Sequence, residues 1–581
     1  MKKTTFFLLF FYTFLNAQTS DWSWAKSFPN INVAITDSFM DSQKNIYHIG
    51  VFNSETLTIG GTVITNSSEV SPITNAKYQD TYITKHDSDG NLLFVEHFPG
   101  SKIDGFTSIA YDNNNHFYVT GYFNGNITLG TNTLQSQNDE MKSFLAKLDL
   151  NGNVVWSKVM DYHGAPILKF KDNNLYLTGT HTGNTYTIDN ITTPSAGYTA
   201  VISFMDKAFV AKFDTSGNAI WLKSSTYNGS SSINEPHRVG TQPKAITVDN
   251  LGNVYIAGMV FCRSTTFGSI TINKSVTNNN ANLFITKYDS NGTVLWASSA
   301  PTNSTSHTTV TDVVTDSNNN IFLCGQVYNS QIGFGGTTLN IGSGQGSFLT
   351  KYAPAGNVLW AKAAKIATDT QPGIGNGMNS FERLFVDSNN NIHVTGIFIK
   401  IINFGNNFVF ENNNNTGISN LFSVKYDTNG NPSDFYKITE ANNSREIKIL
   451  DVSVNENVYY YQGRTPESAL LLGDITIANP ANLQLTYFGK RDKRLSTEEH
   501  FVKNFMLYPN PSQEQIYISG MASPSENMFF TIYDMGGKKI KSQEATNEDI
   551  MTIDIKDLAS GSYVLKIEGV TAQKSIQFVK N

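Results

Sequence analysis

Acidic side chains recur at one position of a strand pattern that repeats along the chain. In each copy this position lies four residues before a turn, on the strand expected to be innermost. The occupants in chain order are Asp37, Ser108, Leu168, Ala245, Asp312, Arg383 and Asp451. Carboxylates that converge on one space shift each other's pKa and attract cations. We therefore predict a ligand-binding group of Asp37, Asp312, Arg383 and Asp451, with Glu382 adjacent.

Three histidines at predicted loop positions are further candidates for acid–base chemistry or metal binding. They are His163, His237 and His307, with Glu235 and Arg238 near the second. No His-x-x-x-His or His-Glu spacing supports a metal site, and the sequence contains no nucleophile elbow, phosphate loop or CxxC motif. We predict no catalytic residue, no metal and no cofactor.

Asp-x-x-Gly segments, such as residues 87–90 and 289–292, carry oxygen ligands of the kind calcium prefers. An EF-hand loop also needs further acids and a Glu that completes the oxygen shell, and none of these segments has that pattern. Asp and Asn side chains hydrogen-bond their own backbone in tight turns. We interpret the segments, and the acids at the first-hairpin turns, as turn chemistry.

The elements that carry these residues form a repeat. A strand, an Asp-x-x-Gly turn and a second strand ending on an aromatic residue occur at 284–296 and again at 144–156 and 209–221. The copies centre on Lys85, Lys147, Lys212, Lys287, Lys351 and Lys425. A hairpin ending in glycine precedes each copy, and a short apolar-x-apolar-Gly element lies between the two hairpins. Both of these landmarks count seven.

The seventh copy lacks its last strand, and the missing strand is found at the other end of the repeats. Residues 22–28 match residues 358–364. An N-terminal strand that completes the last unit closes a ring and removes an exposed sheet edge, which a linear solenoid would not require. We predict an all-β protein, a seven-bladed β-propeller closed by an N-terminal strand and followed by a small Ig-like β-sandwich.

Composition excludes several other classes of protein. The 581 residues have a net charge of -6, 15% charged residues, 26 Tyr, 38 Phe and 44 Gly. A nucleic-acid-binding protein would need a basic face to neutralise phosphates. Aromatic residues suit pleated sheets and Gly suits turns, which excludes a helical bundle or a disordered chain. We expect Cys262 and Cys324 to be buried thiols, the alternative being a disulfide.

The first residues have the layout of a secretory signal peptide. Lys2 and Lys3 precede an apolar run at 6–15 that is shorter than the roughly 20 residues needed to span a bilayer. We predict cleavage between Ala17 and Gln18. The predicted organisation is a signal peptide at 1–17, the propeller at 18–491, a linker at 492–504 and the sandwich at 505–581, with no transmembrane segment in the mature chain.

The Lys-Tyr-Asp-x-x-Gly-Asn-x-x-Trp pattern of the repeats resembles that of SBBP-type β-propeller repeat proteins. The resemblance covers residues 21–491. It is weakest in the seventh unit, where residues 486–489 read Thr-Tyr-Phe-Gly in place of Lys-Tyr-Asp. The resemblance implies blade structure and carries no chemistry.

Residues 505–581 contain an ordered series of motifs followed by a basic last strand. The motif residues are Tyr508, Pro509, Asn510, Pro511, Asp534, Gly537, Lys538, Gly561 and Tyr563. This series resembles the C-terminal type A sorting domain of the type IX secretion system (the Por secretion system) of Bacteroidota. The resemblance implies the type IX machinery as a partner, transport across the outer membrane, and release or attachment at the cell surface. We therefore expect a protein that is secreted or attached to the outer cell surface.

Two functional classes remain open. The favoured one is a non-enzymatic, adhesin-like binding module for an unknown extracellular carbohydrate or protein, with the polar middle hairpins as its contact face. The alternative is a secreted polysaccharide- or peptide-degrading enzyme with its site in the propeller channel. Acids held in an open pocket at glycosidase spacing favour the enzyme, whereas acids engaged in the fold favour binding.

Overall fold

The computed structural model describes residues 22–28, 33–161, 164–194, 206–227, 240–274, 280–302, 307–365, 378–399, 401–405, 408–411, 419–438, 446–453, 458–465, 469–472, 475–478, 485–492, 506–519, 529–544, 550–568 and 573–581. The predicted cleavage site at Ala17 and Gln18 lies outside these residues, as do the loop residues His163, Glu235, His237 and Arg238. The described secondary structure consists of strands and one 3-10 turn, Gln137–Asp139. The expected all-β fold is confirmed.

The chain divides into two compact regions. The repeat region is Met1–Asp492, and the C-terminal region is Lys493–Asn581. No helix among the described residues is long and apolar enough to cross a membrane.

The repeat region begins with β1 (Trp22–Ser27), and units 1 to 6 then each supply an inner, a middle and an outer hairpin. Unit 1 contains β2 (Val33–Met40), β3 (Ile46–Phe52), β4 (Thr56–Ile59), β5 (Thr62–Thr65), β6 (Asp80–His86) and β7 (Leu92–Phe98). Unit 2 contains β8 (Asp104–Tyr111), β9 (His116–Phe123), β10 (Asn126–Leu129), β11 (Asn132–Gln135), β12 (Lys142–Asp149) and β13 (Val154–Asp161). Unit 3 contains β14 (Gly164–Lys171), β15 (Asn174–His181), β16 (Thr187–Ile188), β17 (Ile191–Thr192), β18 (Lys207–Asp214) and β19 (Ala219–Thr226).

The remaining units repeat this plan, with the middle hairpin of unit 5 continuous with its neighbouring strands. Unit 4 contains β20 (Thr241–Val248), β21 (Val254–Val260), β22 (Ser264–Phe267), β23 (Ile270–Asn273), β24 (Asn282–Tyr288) and β25 (Val294–Ser299). Unit 5 contains β26 (His307–Thr315), β27 (Ile321–Phe334), β28 (Thr337–Tyr352) and β29 (Val358–Ala364). Unit 6 contains β30 (Met378–Val386), β31 (Ile392–Ile399), β32 (Ile401–Asn403), β33 (Val409–Glu411), β34 (Ser419–Tyr426) and β35 (Pro432–Lys437). Unit 7 contains β36 (Glu446–Ser453), β37 (Val458–Thr465), β38 (Ala469–Leu472), β39 (Ile475–Ala478) and β40 (Leu485–Asp492).

Units 1 to 6 each contribute four antiparallel strands, in the order β2-β3-β6-β7 for unit 1, and we call the first strand of this order inner and the last one outer. Unit 7 supplies three of them, and the N-terminal strand β1 pairs with β40 as the fourth. Aromatic and branched side chains fill the space between neighbouring units, including Tyr47, Tyr118 and Phe117. The residues matched in the sequence thus complete the last sheet with a strand from the beginning of the chain.

A β-bulge interrupts the inner hairpin of every unit at nearly the same place. The register shifts at Ile35/Asp37, Phe106/Ser108, Gly164/Ile167, Pro243/Ala245, Val310/Asp312, Phe381/Arg383 and Ile449/Asp451. A bulge leaves a residue out of the ladder, so its neighbouring N–H groups need acceptors from elsewhere. Six of the seven inner positions singled out in the sequence directly end such a bulge.

The middle hairpins of units 2, 4, 5 and 6 pair with the preceding unit. Gly100, at the end of unit 1, pairs with Ile127 of unit 2, and Thr302 of unit 4 pairs with Ile332 of unit 5. One face of the hairpin is buried, as the alternating burial of Thr56–Ile59 shows, and the other face is open to solvent. In this hairpin, half of the side chains predicted to contact a ligand are instead buried in the fold.

The outer turns form the most regular contact between units. In units 3, 4 and 5 the repeated Lys and the repeated Trp both donate to the same backbone carbonyl in the outer turn of the next unit. Lys287 Nζ and Trp296 Nε1 lie 2.9 and 3.1 Å from Pro354 O. Pairs of the same kind meet at Ser290 O and Thr428 O.

The glycine of the outer turn is required because the Trp ring lies on it. A Cβ built on Gly217 would come within 2.7 Å of the Trp156 ring. Trp24 of the N-terminal strand makes the same contact with unit 1, its Nε1 lying 3.2 Å from Ser88 O and its ring against Gly90.

The C-terminal region consists of two antiparallel sheets around one core. The first contains β41 (Met506–Tyr508), β42 (Gln515–Ser519) and β45 (Ile550–Asp554). The second contains β43 (Phe529–Asp534), β44 (Lys539–Glu544), β46 (Gly561–Glu568) and β47 (Gln573–Lys580). Ile516 from the first sheet and Phe530, Leu565 and Phe578 from the second belong to the same buried cluster.

Candidate functional site

Asp37 is engaged in the connection between units 1 and 2. Its Oδ1 accepts from the Ser38 N–H at 2.9 Å, while Oδ2 accepts from the Ser108 hydroxyl and from the Ile109 N–H, both at 3.1 Å. The Ile109 N–H follows closely after the register shift at Phe106/Ser108 on the edge strand β8. The carboxylate therefore supplies an acceptor that the neighbouring unit lacks.

Asp312 makes the equivalent contact between units 5 and 6. Its Oδ1 accepts from the Val313 N–H at 2.8 Å, and Oδ2 accepts from the Leu384 N–H at 2.9 Å. Burial raises the pKa of Asp312, and the charges of Arg383 and Lys169 act in the opposite direction. Lys169 was not singled out in the sequence, because its neighbour Leu168 holds the aligned position and carries no charge.

The four predicted ligand residues differ in the contacts that they make. Asp312 and Arg383 are brought together in adjacent units, and Asp37 lies in unit 1 beside Ser108. The backbone of Asp451 pairs with Tyr460 on the inner hairpin of unit 7. The ligand-binding role of Asp37, Asp312, Arg383 and Asp451 stays a prediction.

Ser108 makes an inter-unit contact of the same kind without a charge. Ser108 Oγ accepts from the Leu168 N–H at 3.2 Å, which connects units 2 and 3. Leu168 and Ala245 are buried. A hydroxyl or a carboxylate can thus accept a hydrogen bond from the backbone of the next unit at this position. The presence of an acidic residue there does not by itself indicate a ligand-binding site.

A polar network lies where units 5 and 6 adjoin. Gln326 donates to Ser380 Oγ, which donates to Glu382, while Gln326 Oε1 accepts from Tyr328 at 2.8 Å and from Gln345 at 3.0 Å. Burial raises the pKa of Tyr328, and the Glu382 charge adds to this. Ser380 is buried and the other members are partly exposed, so amide, hydroxyl and carboxylate groups lie at one place.

His307 is the one candidate histidine among the described residues. Its ring lies 5.7 Å from that of Tyr328, and its Nδ1 accepts from the Ala281 N–H at 3.0 Å. Burial lowers its pKa, and the Lys274 charge acts in the same direction. The described residues contain no group of three or more His, Cys, Asp or Glu side chains that could hold a metal ion. Cys262 and Cys324 are free, buried thiols, as expected.

A buried carboxyl pair between units 1 and 2 had no signal in the repeat pattern. Asp80 Oδ2 accepts from the backbone and hydroxyl of Ser67 and from His97 Nε2 at 2.9 Å. Asp104 is fully buried, and its carboxyl group lies beside that of Asp80. Burial raises the pKa of Asp104 well above its usual range, and the Asp80 charge adds to this.

The motif residues of the C-terminal region hold its own strands in place. Asn510 bonds to the last strand, accepting from the Val579 N–H at 2.9 Å and donating to Gln577 O at 3.1 Å. Asp534 Oδ1 accepts from the Gly536 and Lys538 N–H groups in a turn where Gly537 has φ +82°. Tyr563 donates to Ala559 O at 2.8 Å and stacks on Phe578.

The remaining motif residues lie beside these contacts. Tyr508, Pro509 and Pro511 are exposed, and both X-Pro bonds of the motif are cis. Gly561 begins β46 and pairs with Lys580. The motif thus combines residues that hold the last strand with residues presented to solvent.

Comparison with known proteins identifies the C-terminal region and gives weaker matches for the repeats. Residues 506–581 match the secretion system C-terminal sorting domain family. The chain is 24% identical to an uncharacterized WD repeat-containing protein of Acanthamoeba polyphaga mimivirus over 87% of its length, and it spans 40% of that relative.

Similar solved structures include carbohydrate-active and uncharacterised proteins. The subtype N10 neuraminidase-like protein of A/little yellow-shouldered bat/Guatemala/060/2010 is 7% identical with a TM-score of 0.32, covering 82% of this chain and 100% of that one. A protein of unknown function from Bacteroides thetaiotaomicron is 10% identical with a TM-score of 0.26 and covers 80% and 99%. A xylan β-1,4-xylosidase from Bacillus halodurans is 8% identical with a TM-score of 0.24 and covers 81% and 88%. Such low scores carry no inference about activity.

The expected type IX sorting domain is therefore confirmed, starting one residue after the predicted boundary. The sorting domain implies that the chain interacts with the type IX secretion machinery. The protein is exported by this route and is secreted, with attachment to the outer cell surface.

Proposed function

We propose that the exported chain is a non-enzymatic binding module built on a closed seven-bladed β-propeller of the SBBP type. The proposed organisation is a signal peptide at 1–17, the propeller at 18–491, a linker at 492–504 and the sorting domain. Support for closure comes from β1, which pairs with β40 on one side and reaches Ser88 O of unit 1 through Trp24. This is the contact that Trp296 and Trp360 make between consecutive units.

The observation that carries the binding function is the state of the inner carboxylates. A general acid or nucleophile needs its oxygens directed at substrate. Asp37 and Asp312 each direct both oxygens at backbone or hydroxyl donors of the fold. This use of the acids favours the binding module over the secreted hydrolase.

A combined binding and turnover assay tests the proposal. The mature chain, from residue 18 onward, is applied to an array of glycans and matrix proteins, and released products are analysed from the same wells. We expect retention without product. Product formation that disappears in Asp312→Asn, while its circular dichroism spectrum shows that the variant is folded, would replace the binding module with the hydrolase.

A further inference from the structure

Two histidines are buried where unit 7 meets unit 1. They are His48 on β3 and His86 on β6, and their rings lie 5.4 Å apart. Both rings pack against Phe488 of β40, at 4.8 and 4.7 Å. Both also pack against Phe28, the residue that follows β1, at 5.1 and 5.5 Å. We call this contact, formed by the two histidines and the two phenylalanines, the joint.

The hydrogen bonds at the joint suit neutral imidazole rings. His48 Nδ1 lies 3.0 Å from Ser38 Oγ of unit 1 and 3.2 Å from Gln462 Oε1 of unit 7, and Ser38 Oγ donates to the same Gln462 oxygen. A neutral ring can complete this network by donating from Nδ1. Among the described residues, His86 Nδ1 is buried without a hydrogen-bond partner. Protonation of His86 would therefore leave a buried N–H without an acceptor.

The other copies of the repeat do not use histidine at these two positions. Two residues before the strand-end glycine, units 2 to 6 carry Val119, Leu177, Ile256, Leu323 and Val394. Directly after the repeated Lys, the same units carry Leu148, Phe213, Tyr288, Tyr352 and Tyr426. All of these side chains are buried. The fold of a unit therefore does not require a histidine at either position, and the pair distinguishes the unit that meets unit 7.

The charged groups around the joint act on it in both directions. Burial lowers the pKa of His86 to about 4, the charge of Lys26 on β1 acts in the same direction, and the charge of Asp87 acts against them. Because side chains alternate along a strand, the other groups that share the packed faces can be assigned. The titratable ones among the described residues are Tyr82, Tyr460, Arg464, Lys490 and Asp492. Lys490 and Asp492 pair with each other at 3.7 Å.

We propose that His48 and His86 make the joint sensitive to pH, so that mild acid loosens β1 while the internal units stay folded. A charged ring would have to stay buried against Phe28 and Phe488 or leave the joint. The contribution of neutral His86 to stability is complete above its unfolded pKa of about 6.5 and is lost as pH falls toward the folded value of about 4. The inference rests on the proposed closed propeller and not on its ligand.

Hydrogen–deuterium exchange of the mature chain tests the joint. Exchange is followed by mass spectrometry at pH 7.5 and pH 5.0 and corrected for the intrinsic rate at each pH. We expect the amides of β1 to lose protection by at least about tenfold at pH 5.0, because opening of the joint exposes a histidine that then binds a proton. The amides of β25, an internal outer strand, should keep their protection.

Three variants assign the response to the joint. His86→Leu and His48→Val install the residues of unit 2, and each should reduce the pH-dependent loss of protection in β1. His181→Phe is the matched control. His181 is also buried with a pKa lowered to about 4, but it lies in unit 3, and Phe123 holds its position in unit 2. The control should leave the response of β1 unchanged.

Three results would overturn the proposal. One is equal protection of β1 at both pH values, and another is a full pH response in both His86→Leu and His48→Val. The third is loss of protection throughout the repeat region at pH 5.0, which would indicate general unfolding in acid. A β1 that is already unprotected at pH 7.5 would reject the closed propeller itself, and the joint with it.

Discussion

The outer and inner sides of the repeat region connect neighbouring units in different ways. On the outer side, a Trp indole and usually a Lys ammonium meet one carbonyl, and a glycine lies under the ring. On the inner side, the group that crosses between units is a carboxylate at Asp37 and Asp312 and a hydroxyl at Ser108. The outer contact uses a fixed set of residues, while the inner contact needs only an acceptor for a freed N–H. Variation at the inner position therefore does not by itself indicate a ligand.

The largest expected effect comes from disturbing the outer contact. Gly217→Ala and Gly61→Ala both place a side chain at similar positive φ, +84° and +87°, but only Gly217 has an indole within 3 Å. The positive φ should lower the free energy of unfolding of both variants by about 1–2 kcal/mol. The clash with the Trp ring should lower that of Gly217→Ala by about 1–3 kcal/mol more. Urea unfolding of the two variants measures the difference. Equal losses would mean that the Trp ring does not require this glycine.

Asp312→Ala tests the inner contact. It leaves the Val313 and Leu384 N–H groups without their acceptor, which should lower the free energy of unfolding by about 1–3 kcal/mol. Asp312→Asn keeps an acceptor oxygen and should cost less than half as much. A stability like that of wild type in Asp312→Ala, measured by the same urea titration, would contradict the structural role.

Asp104→Asn should stabilise the protein above neutral pH. The pKa of Asp104 is raised in the folded state, so its contribution is complete below the unfolded value of about 4 and is lost as pH rises through the folded pKa. An amide stays neutral and can donate to Asp80, giving about 1–2 kcal/mol at pH 8 and little change at pH 4.

Thermal unfolding of both proteins between pH 4 and 8 measures this effect. Asp112→Asn, at an exposed turn of the same unit, serves as a control for the general loss of a carboxylate. A stabilisation that is the same at every pH would contradict the buried-acid explanation.

The smallest expected effect compares the N-terminal strand with an internal one. Trp24→Phe and Trp360→Phe each remove an indole donor 3.2 Å from a turn carbonyl while keeping an aromatic ring. Each should cost about 1 kcal/mol, the net contribution of one hydrogen bond. If calorimetric unfolding shows a much smaller loss of stability for Trp24→Phe than for Trp360→Phe, then β1 does not make the inter-unit contact that internal strands make.

The sequence predicted the features that recur and missed those that depend on contacts between units. The periodic Lys, Trp and Gly residues identified the strands and turns, because each has the same neighbour in successive units. The bulges have no residue signature, so the use of Asp37 and Asp312 as acceptors was not foreseen. Asp80 and Asp104 come from different units, and neither position is acidic elsewhere in the repeat pattern, so their meeting required the folded arrangement.

The outer contact also has a direction. Units 3, 4 and 5 each donate from an indole and an ammonium group to a carbonyl of the next unit, which makes the association head-to-tail. Heterologous association of this kind has no intrinsic stopping point, and it ends only by closing on itself or by a capping element. The number of copies is therefore not encoded within any single copy. It depends on the small rotation between successive copies and on where in the gene the strand that supplies Trp24 is placed.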